Sequence, residues 1–588
     1  MNYLDLCQLY HQLDATTKRL EKTWHISRFL QKAHPDDLPS IILLLQGLIY
    51  PEYDERKMGI ASRLILKAIQ VATGIPAMKV EEMWKATGDL GISAERLVTK
   101  KTQSTLASRE LTVEKVLTNL RRASELEGEG MVDKKVKLLA ELLTSATPIE
   151  ARYIIRTTLE ELRVGVASCT IRDAITWAFF EDACKLNYDE QKKSIEPEDR
   201  EKYSEIVAIV QTAHDLCNDY AEVARLAKTA GMRGLQDVSL TVGKPIKVML
   251  FQKARGIGEA FERVGKPCAF EYKYDGFRLQ IHKQGGRIVL YTRRLEDVTQ
   301  QFPEVVAYVK THVHADAVIL DGEAVGYHPK TKKYLPFQSI SQRIRRKYDI
   351  ERLSRDFPVE LNIFDILSAD GNTVMGEPFR KRRERIERMI EQVPYKIIVA
   401  KQLVTDDPEK AEAFYKASLD AGEEGVMAKN LEGIYKPGSR VGFGVKIKPT
   451  METLDLAIVG AEWGEGKRKG WLSTFALACR DEDTGEFLEL GKVGTGFKEL
   501  EAEGGITFEQ MTKLLEPLII AEKGKEVTVK PQIVIEVTYE EIQRSPTYTS
   551  GYALRFPRLV NLRMEKPADE ASTLQIVEEL YDNQKQGR

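Results

Sequence analysis

Lys273 stands in the string EYKYDGFR, with Glu271 two residues before it and Arg278 five residues after it. A lysine is a nucleophile only once it has lost its proton, and at the ordinary pKa of about 10.4 roughly one in a few thousand has done so at neutral pH. Desolvation or a cationic neighbour lowers that value, and Arg278 is the next cation along the chain. Asp275-Gly276 predicts a tight turn in which Gly276 takes φ > 0. On a strand, Glu271 and Lys273 share one face. An acid and an amine then stand together at a strand end, a place from which a nucleotide phosphate can be attacked. Taken alone, the string suits a solvated lysine beside a hairpin turn better.

The elements that must hold this string change character along the chain. Residues 1–240 predict helices throughout: Val132, Val136, Leu139 and Leu143 recur at helical spacing. Thr147-Pro148-Ile149-Glu150 combines an N-cap, a proline at the first helical position and a capping-box glutamate, followed by the apolar stripe Ile154, Ile155, Leu159 and Leu162. Near Thr241 the texture shifts. Beyond it come alternating strands such as Phe270/Tyr272 and Leu279/Ile281, with Gly285-Gly286 closing a hairpin. A helical stretch follows at 379–391, so the pattern of 241–449 is α+β. From 450 to 588 short strands dominate (LDLAIVGAEW, TFALACRDEDTGEFLELGKVG, QIVIEVTYEEI), with a helix from Ala568 to the C-terminus. Such strands with Gly-rich turns predict a small β-barrel of the OB-fold type, a common nucleic-acid platform.

The bulk properties agree with a multidomain chain: 588 residues exceed one core and predict about three or four domains. With 43% hydrophobic and 30% charged residues the composition is that of an ordinary soluble protein. No apolar run approaches the roughly twenty residues of a membrane span, and MNYLDLCQLYHQLD lacks the regions of a signal peptide. The six cysteines form no CxxC pair, which argues against a zinc site or disulfide framework and predicts a cytoplasmic protein. A net charge of −2 excludes a globally basic nucleic-acid binder. Local clusters remain as candidate phosphate contacts: RIRRK at 343–347, RKRR at 380–383 and KRK at 467–469.

EYKYDGFR resembles motif I of the covalent nucleotidyltransferases, which comprise DNA ligases, RNA ligases and mRNA capping enzymes, and further motifs follow in that family's order. YTRRLEDVTQQFPE from Tyr291 is similar to motif Ia, ILDGEAVGY around Asp321 and Glu323 to motif III, and FDILSADG from Phe364 to motif IIIa. EEGVMAKN around Glu424 resembles motif IV, VKIKP motif V, and SGYALRFPRLVNLRMEK from Ser550 motif VI. GLIYPEYDERKMGIA and LRVGVASCTIRDAI resemble segments of the ligases' helical DNA-binding domain. The ensemble resembles ATP-dependent DNA ligases of the archaeal type. Ligases that use NAD carry a four-cysteine zinc module that this chain lacks.

This resemblance implies a lysyl-AMP intermediate on Lys273, formed from ATP, passed to the 5′-phosphate of a nick and displaced by the 3′-hydroxyl. It places Glu271 and Phe364 in the adenosine pocket, Phe364 stacking on the base, and Arg278 and Arg293 near the ribose and phosphates. Glu323 contacts the ribose beside a metal, and Glu424 binds Mg²⁺, for which Mn²⁺ can substitute. Arg440, Lys446 and Lys448 bind phosphates, the two lysines sharing a strand face. Motif VI (Arg555, Arg558, Arg563, Lys566) orients the departing pyrophosphate. The resemblance further implies action on nicked duplex DNA in replication, repair and recombination, by a monomer.

Three positions depart from the family pattern: Gly444 replaces a tryptophan, Glu565 an aspartate, and Arg294 an asparagine. Gln103 and Leu106 have the spacing of a sliding-clamp-binding peptide without its aromatic pair. An RNA ligase or a GTP-dependent capping-type enzyme shares the lysine and its DG turn, and a non-catalytic nick-binding adaptor could share the fold. ADP, NAD and GTP remain open as alternative donors.

Overall fold

Helices occupy most of the first 236 residues, because their apolar positions recur at helical spacing and their ends carry caps. The computed structural model describes residues 1–100, 110–126, 128, 130–335, 337–345, 348–449, 452–500 and 505–586. Thr147 and Glu150 form the expected capping box on Pro148–Thr158. That helix ends before Leu162, so the predicted stripe overran it. In Met131–Ser145, Val136, Leu139 and Leu143 are buried but Val132 is not.

One stretch departs from the all-helical expectation. Leu186–Asp189 and Ser194–Pro197 pair as an antiparallel hairpin. Asp189 accepts the N–H groups of Gln191 and Lys192 to make its turn, and Tyr188 stacks on Trp24 with ring centroids 4.4 Å apart.

The middle region is α+β and contains two sheets. The first runs Ile397–Val399, Val359–Ala369, Ala317–Gly326, Phe277–Gln284, Arg287–Thr292. The second runs Gln402–Thr405, Cys268–Lys273, Gly425–Asn430, Arg440–Ile447, Leu250–Ala254. Each sheet has its own apolar cluster. The segment before them is fastened to the first sheet: Gly243 N–H donates to His282 Nδ1 at 3.1 Å, Ile246 N–H to Gln280 Oε1 at 3.0 Å, and Tyr291 Oη–H to the Gly243 carbonyl at 2.9 Å.

The C-terminal region is a sheet domain ordered Phe487–Val493, Leu472–Arg480, Leu454–Trp463, Glu526–Val529, Ile519–Lys523. The other half of Leu454–Trp463 pairs with Val534–Thr538, which pairs with Arg558–Leu562. Among the described residues these ladders do not close into a barrel. The C-terminal helix spans Leu574–Gln586.

Candidate active site

Cys268–Lys273 ends at the lysine, and the chain crosses through Tyr274, Asp275 and Gly276 into Phe277–Gln284 of the other sheet. Lys273 therefore sits where the backbone changes sheets. Gly276 does not take the left-handed conformation expected of it. It is required by contact instead, since a Cβ there would lie 2.4 Å from the Ala324 carbonyl oxygen and 3.0 Å from Glu323 Cγ. The bend after the lysine thus touches the strand that carries Glu323.

Strand register sets Gly425 opposite Lys273, and Met427 opposite both Glu271 and Lys446. Alternation puts Lys273, Glu271, Lys446 and Lys448 on one wall of a cleft of 2200 Å³. Arg278, Arg293, Glu323 and Phe364 line it from the other sheet, and Arg555 from the C-terminal region. Glu55 and Arg56 of the helical region also reach it. Small-molecule pockets occupy roughly 300–1,000 Å³, so this cleft has room for a nucleotide and more.

Glu424 forms ion pairs with Lys273 and, at 2.5 Å, with Lys448. Burial opposes a charge on Glu424, but the two lysines outweigh it and hold the carboxyl down at about 2. Burial likewise favours a neutral Lys273, but Glu424, with Glu323 and Asp275 behind it, outweighs that and raises the amine above the usual lysine value. The expected help from Arg278 is therefore corrected. Its guanidinium is held by Asp321 at 2.6 Å and the Met249 carbonyl at 3.1 Å, and Lys273 keeps its proton in the free protein. Lys446 is the lysine of this wall shifted downward, by burial and then by Lys448 and Lys273.

Glu271 is only 1% exposed. Its Oε1 accepts from Gln402 Nε2 at 3.0 Å and Arg383 Nη1 at 3.4 Å, while Oε2 pairs with Lys429 at 2.6 Å. Phe364 has two cations near its ring, Arg278 and Lys429, each 5.1 Å from the ring centroid. Glu323 is pushed up to about 8 by burial, which Lys273 and Arg278 offset only in part. Between the ordinary 4.5 and about 8, the folded protein holds a proton that the unfolded chain has released. Stability of the ligand-free protein should therefore fall as pH rises through that window, by roughly 1 kcal/mol per pH unit for such a group. Melting curves from pH 5 to 8 should show the fall, to which Glu423, also pushed up to about 8 by burial, contributes, and Glu323→Gln should make it shallower; an equal slope in both proteins would contradict the burial of this charge.

Motif VI divides. Arg555 faces the cleft and is bonded to Glu541 at 3.3 Å. Arg558 is exposed and does not line the cleft. Arg563 is tied to Asp455 at 3.2 Å and Glu536 at 2.8 Å, and Lys566 to Asp455 at 2.8 Å. Both pair within their own sheet domain, and of the four motif VI cations only Arg555 lines the cleft. The Arg440 side chain and the clamp-peptide residues Gln103 and Leu106 lie outside the described residues.

Two basic clusters hold guanidiniums that are engaged within the protein; the Arg345 side chain, Arg346 and Lys347 lie outside the described residues. Arg343 is buried on Glu304 and the carbonyls of Gln301 and Phe357. Arg382 is buried on Asp365, Arg383 bonds Glu271 and Glu387, and Arg380 pairs with Glu432. These guanidiniums brace the fold. In the third cluster Arg468 pairs with Glu499. Gly444 has a steric reason: a Cβ there would lie 2.2 Å from the Phe251 ring, which fills the space of the missing side chain and lines the cleft. Arg294 is exposed in the cleft, and Glu565 stands 3.7 Å from Arg563.

Sequence reasoning missed Glu423, Gln402, Lys429 and Asp321 as parts of this site. Asp321 carried a signal, a carboxylate inside the apolar run VILDGEAV; Tyr435 Oη–H donates to it at 2.5 Å.

Comparison with known proteins agrees with this geometry. Residues 248–448 match the ATP dependent DNA ligase domain, 2–176 the DNA ligase N terminus and 468–566 the ATP dependent DNA ligase C terminal region. A DNA ligase of Nanoarchaeum equitans is 46% identical over 588 residues, covering 100% of this chain and 99% of that protein. One of Thermococcus fumicolans is 43% identical, covering 99% and 98%. The solved structure Pmar-Lig_Pre. shares the fold with a TM-score of 0.56 at 16% identity, over 95% of this chain and 99% of that one. The chain belongs to the ATP-dependent DNA ligases.

Proposed function

We propose that Lys273 carries the AMP when this DNA ligase seals nicks, and the observation that supports it is the placement of an amine paired with Glu424 at the sheet crossing inside the cleft. Lys273 Nζ attacks the α-phosphorus of ATP; the N–P bond forms and the P–O bond to pyrophosphate breaks. AMP then passes to the 5′-phosphate of the nick, and the 3′-hydroxyl displaces it. Phe364 offers its face to the adenine and Glu271 bounds the base, while Arg278, Arg293, Arg440, Lys446 and Lys448 hold ribose and phosphates.

A divalent cation fits beside the amine. Among the described residues no three His, Cys, Asp or Glu side chains cluster to hold a metal alone. Glu323 and Glu424 therefore offer two carboxylates, the rest of the shell coming from phosphate and water as Mg²⁺ prefers. Such a cation neutralises phosphate charge when bound. Glu424 must also release Lys273 before the amine can lose its proton.

The reading extends to the whole chain. Its domains are 1–240, binding DNA, 241–449, transferring the nucleotide, and 450–588, an open sheet of OB type. It acts as a cytoplasmic monomer; six free cysteines suit a reducing compartment. The segment around Gln103 and Leu106 is its contact for a sliding clamp.

Incubation with α-labelled ATP, GTP or NAD, a denaturing gel and then a nicked duplex tests the reading. An acid-labile adduct with ATP that chases into sealed DNA is expected. Efficient joining of single-stranded RNA would overturn it in favour of an RNA ligase. Arg555→Ala should slow self-adenylation about tenfold or more while sparing a nick that already carries AMP, since no pyrophosphate leaves in that step. Equal losses in the two assays would assign Arg555 to DNA binding.

A further inference from the structure

Glu423 immediately precedes the motif IV glutamate, and no role above falls on it. It is 2% exposed. Its Oε2 accepts the N–H of Asp275 at 2.8 Å, and its Oε1 has no hydrogen-bond partner among the described residues. On the other side of Tyr274, the N–H of Glu424 donates to the Lys273 carbonyl at 2.9 Å. Two consecutive residues thus grip the chain on both sides of Tyr274.

The grip matters because regular pairing stops here. Gly425 opposite Lys273 is the last pair of that ladder, and beyond it the chain leaves for the other sheet. Past this pair the Asp275 N–H donates to a side chain, Glu423 Oε2, and not to a strand carbonyl of that ladder. Glu423 is itself anchored, its N–H donating to the Ser418 carbonyl at 3.0 Å at the end of the helix Pro408–Asp420. The bend cannot relax toward the other sheet either, since Gly276 already touches the strand with Glu323.

We propose that Glu423 is a positioning residue for the nucleophile: through the Asp275 N–H it fixes the backbone from Lys273 to Asp275, and so the direction from which the amine approaches the α-phosphorus. The proposal rests on Lys273 being the nucleophile. Its effect belongs to self-adenylation alone, because a nick that already carries AMP needs no free amine. Misplacement of a reacting group by about 1 Å can cost up to 10²-fold.

Two variants of the full chain separate reach from ionisation. Burial pushes the Glu423 carboxyl up to about 8; Glu423→Gln keeps the length and an oxygen acceptor but cannot ionise, and Glu423→Asp can ionise but is one methylene short. Self-adenylation with α-labelled ATP and sealing of a pre-adenylated nick are measured for both, beside melting curves and a Lys273→Ala control. Glu423→Asp should lower the kcat of adenylation about tenfold or more, with KM for ATP within about twofold and pre-adenylated sealing unchanged. Glu423→Gln should stay within about threefold of the parent. Normal adenylation by Glu423→Asp overturns the proposal. So does a slow Glu423→Gln beside a fast Glu423→Asp, which would make the charge the active feature, or an equal loss in pre-adenylated sealing. Label persisting in Lys273→Ala would instead refute the assignment of the nucleophile.

Discussion

Lys273→Ala is expected to form no AMP adduct and to seal no nicks, while melting and binding nicked DNA as the parent does. The substitution removes one of two cations on Glu424 and leaves Lys448 in place at 2.5 Å, so the buried carboxylate is not stranded. The competing nucleophile on the same wall is Lys446, whose downward shift makes it the easier amine to deprotonate. Geometry favours Lys273, which stands at the sheet crossing with Glu323 and Glu424 around it. Mass spectrometry of the adenylated peptide decides between them. Label on the Lys446 peptide, or an adduct that survives Lys273→Ala, would show that the lowered pKa outranks position.

Glu424→Gln should separate the reactivity of the amine from the activity of the enzyme. Without the carboxylate, the balance on Lys273 tips toward burial and its pKa should drop, so a water-soluble acylating reagent should modify it faster at pH 8 than in the parent. Adenylation should nevertheless fall on the order of 100-fold or more, since a preorganised charge at the reacting phosphate is gone. Peptide mapping after brief acylation reads the first effect and labelled ATP the second. Unchanged acylation of Lys273 would mean that the ion pair does not govern its proton.

Much of this site was legible because strand alternation is simple. Glu271 and Lys273 share a face as spacing two requires, and Lys446 and Lys448 both line the cleft although the strand ends at Ile447. The Gly285-Gly286 hairpin and the Thr147–Glu150 capping box also form as expected. What was hidden depends on contacts distant in sequence. Gly276 is required by Ala324, and Gly444 by Phe251, so neither could be read from its neighbours. Arg343 and Arg382 lie in charge runs that suggest solvent, yet each is enclosed by partners far along the chain. The expectation of helices throughout 1–240 passed over the run DEQKKS, where Asp189 turns a hairpin. The partners of motif VI were hidden too: Arg563 and Lys566 are matched by Asp455 and Glu536, carboxylates that no motif mentions.

The fastening of the segment before Leu250 bears on how the catalytic unit could be excised. The matched family region begins at residue 248, but Ile246 both donates to and accepts from Gln280, and Gly243 caps His282. Gln280 is 1% exposed and His282 0%. A fragment starting at Val248 would leave these polar groups without those partners, at roughly 1–3 kcal/mol for each buried group left unsatisfied. Protonation would not relieve the histidine near neutral pH, because burial holds it down at about 3. An autonomous transferase fragment should therefore begin upstream of Gly243, with part of what looks like tether treated as an edge of the folded body.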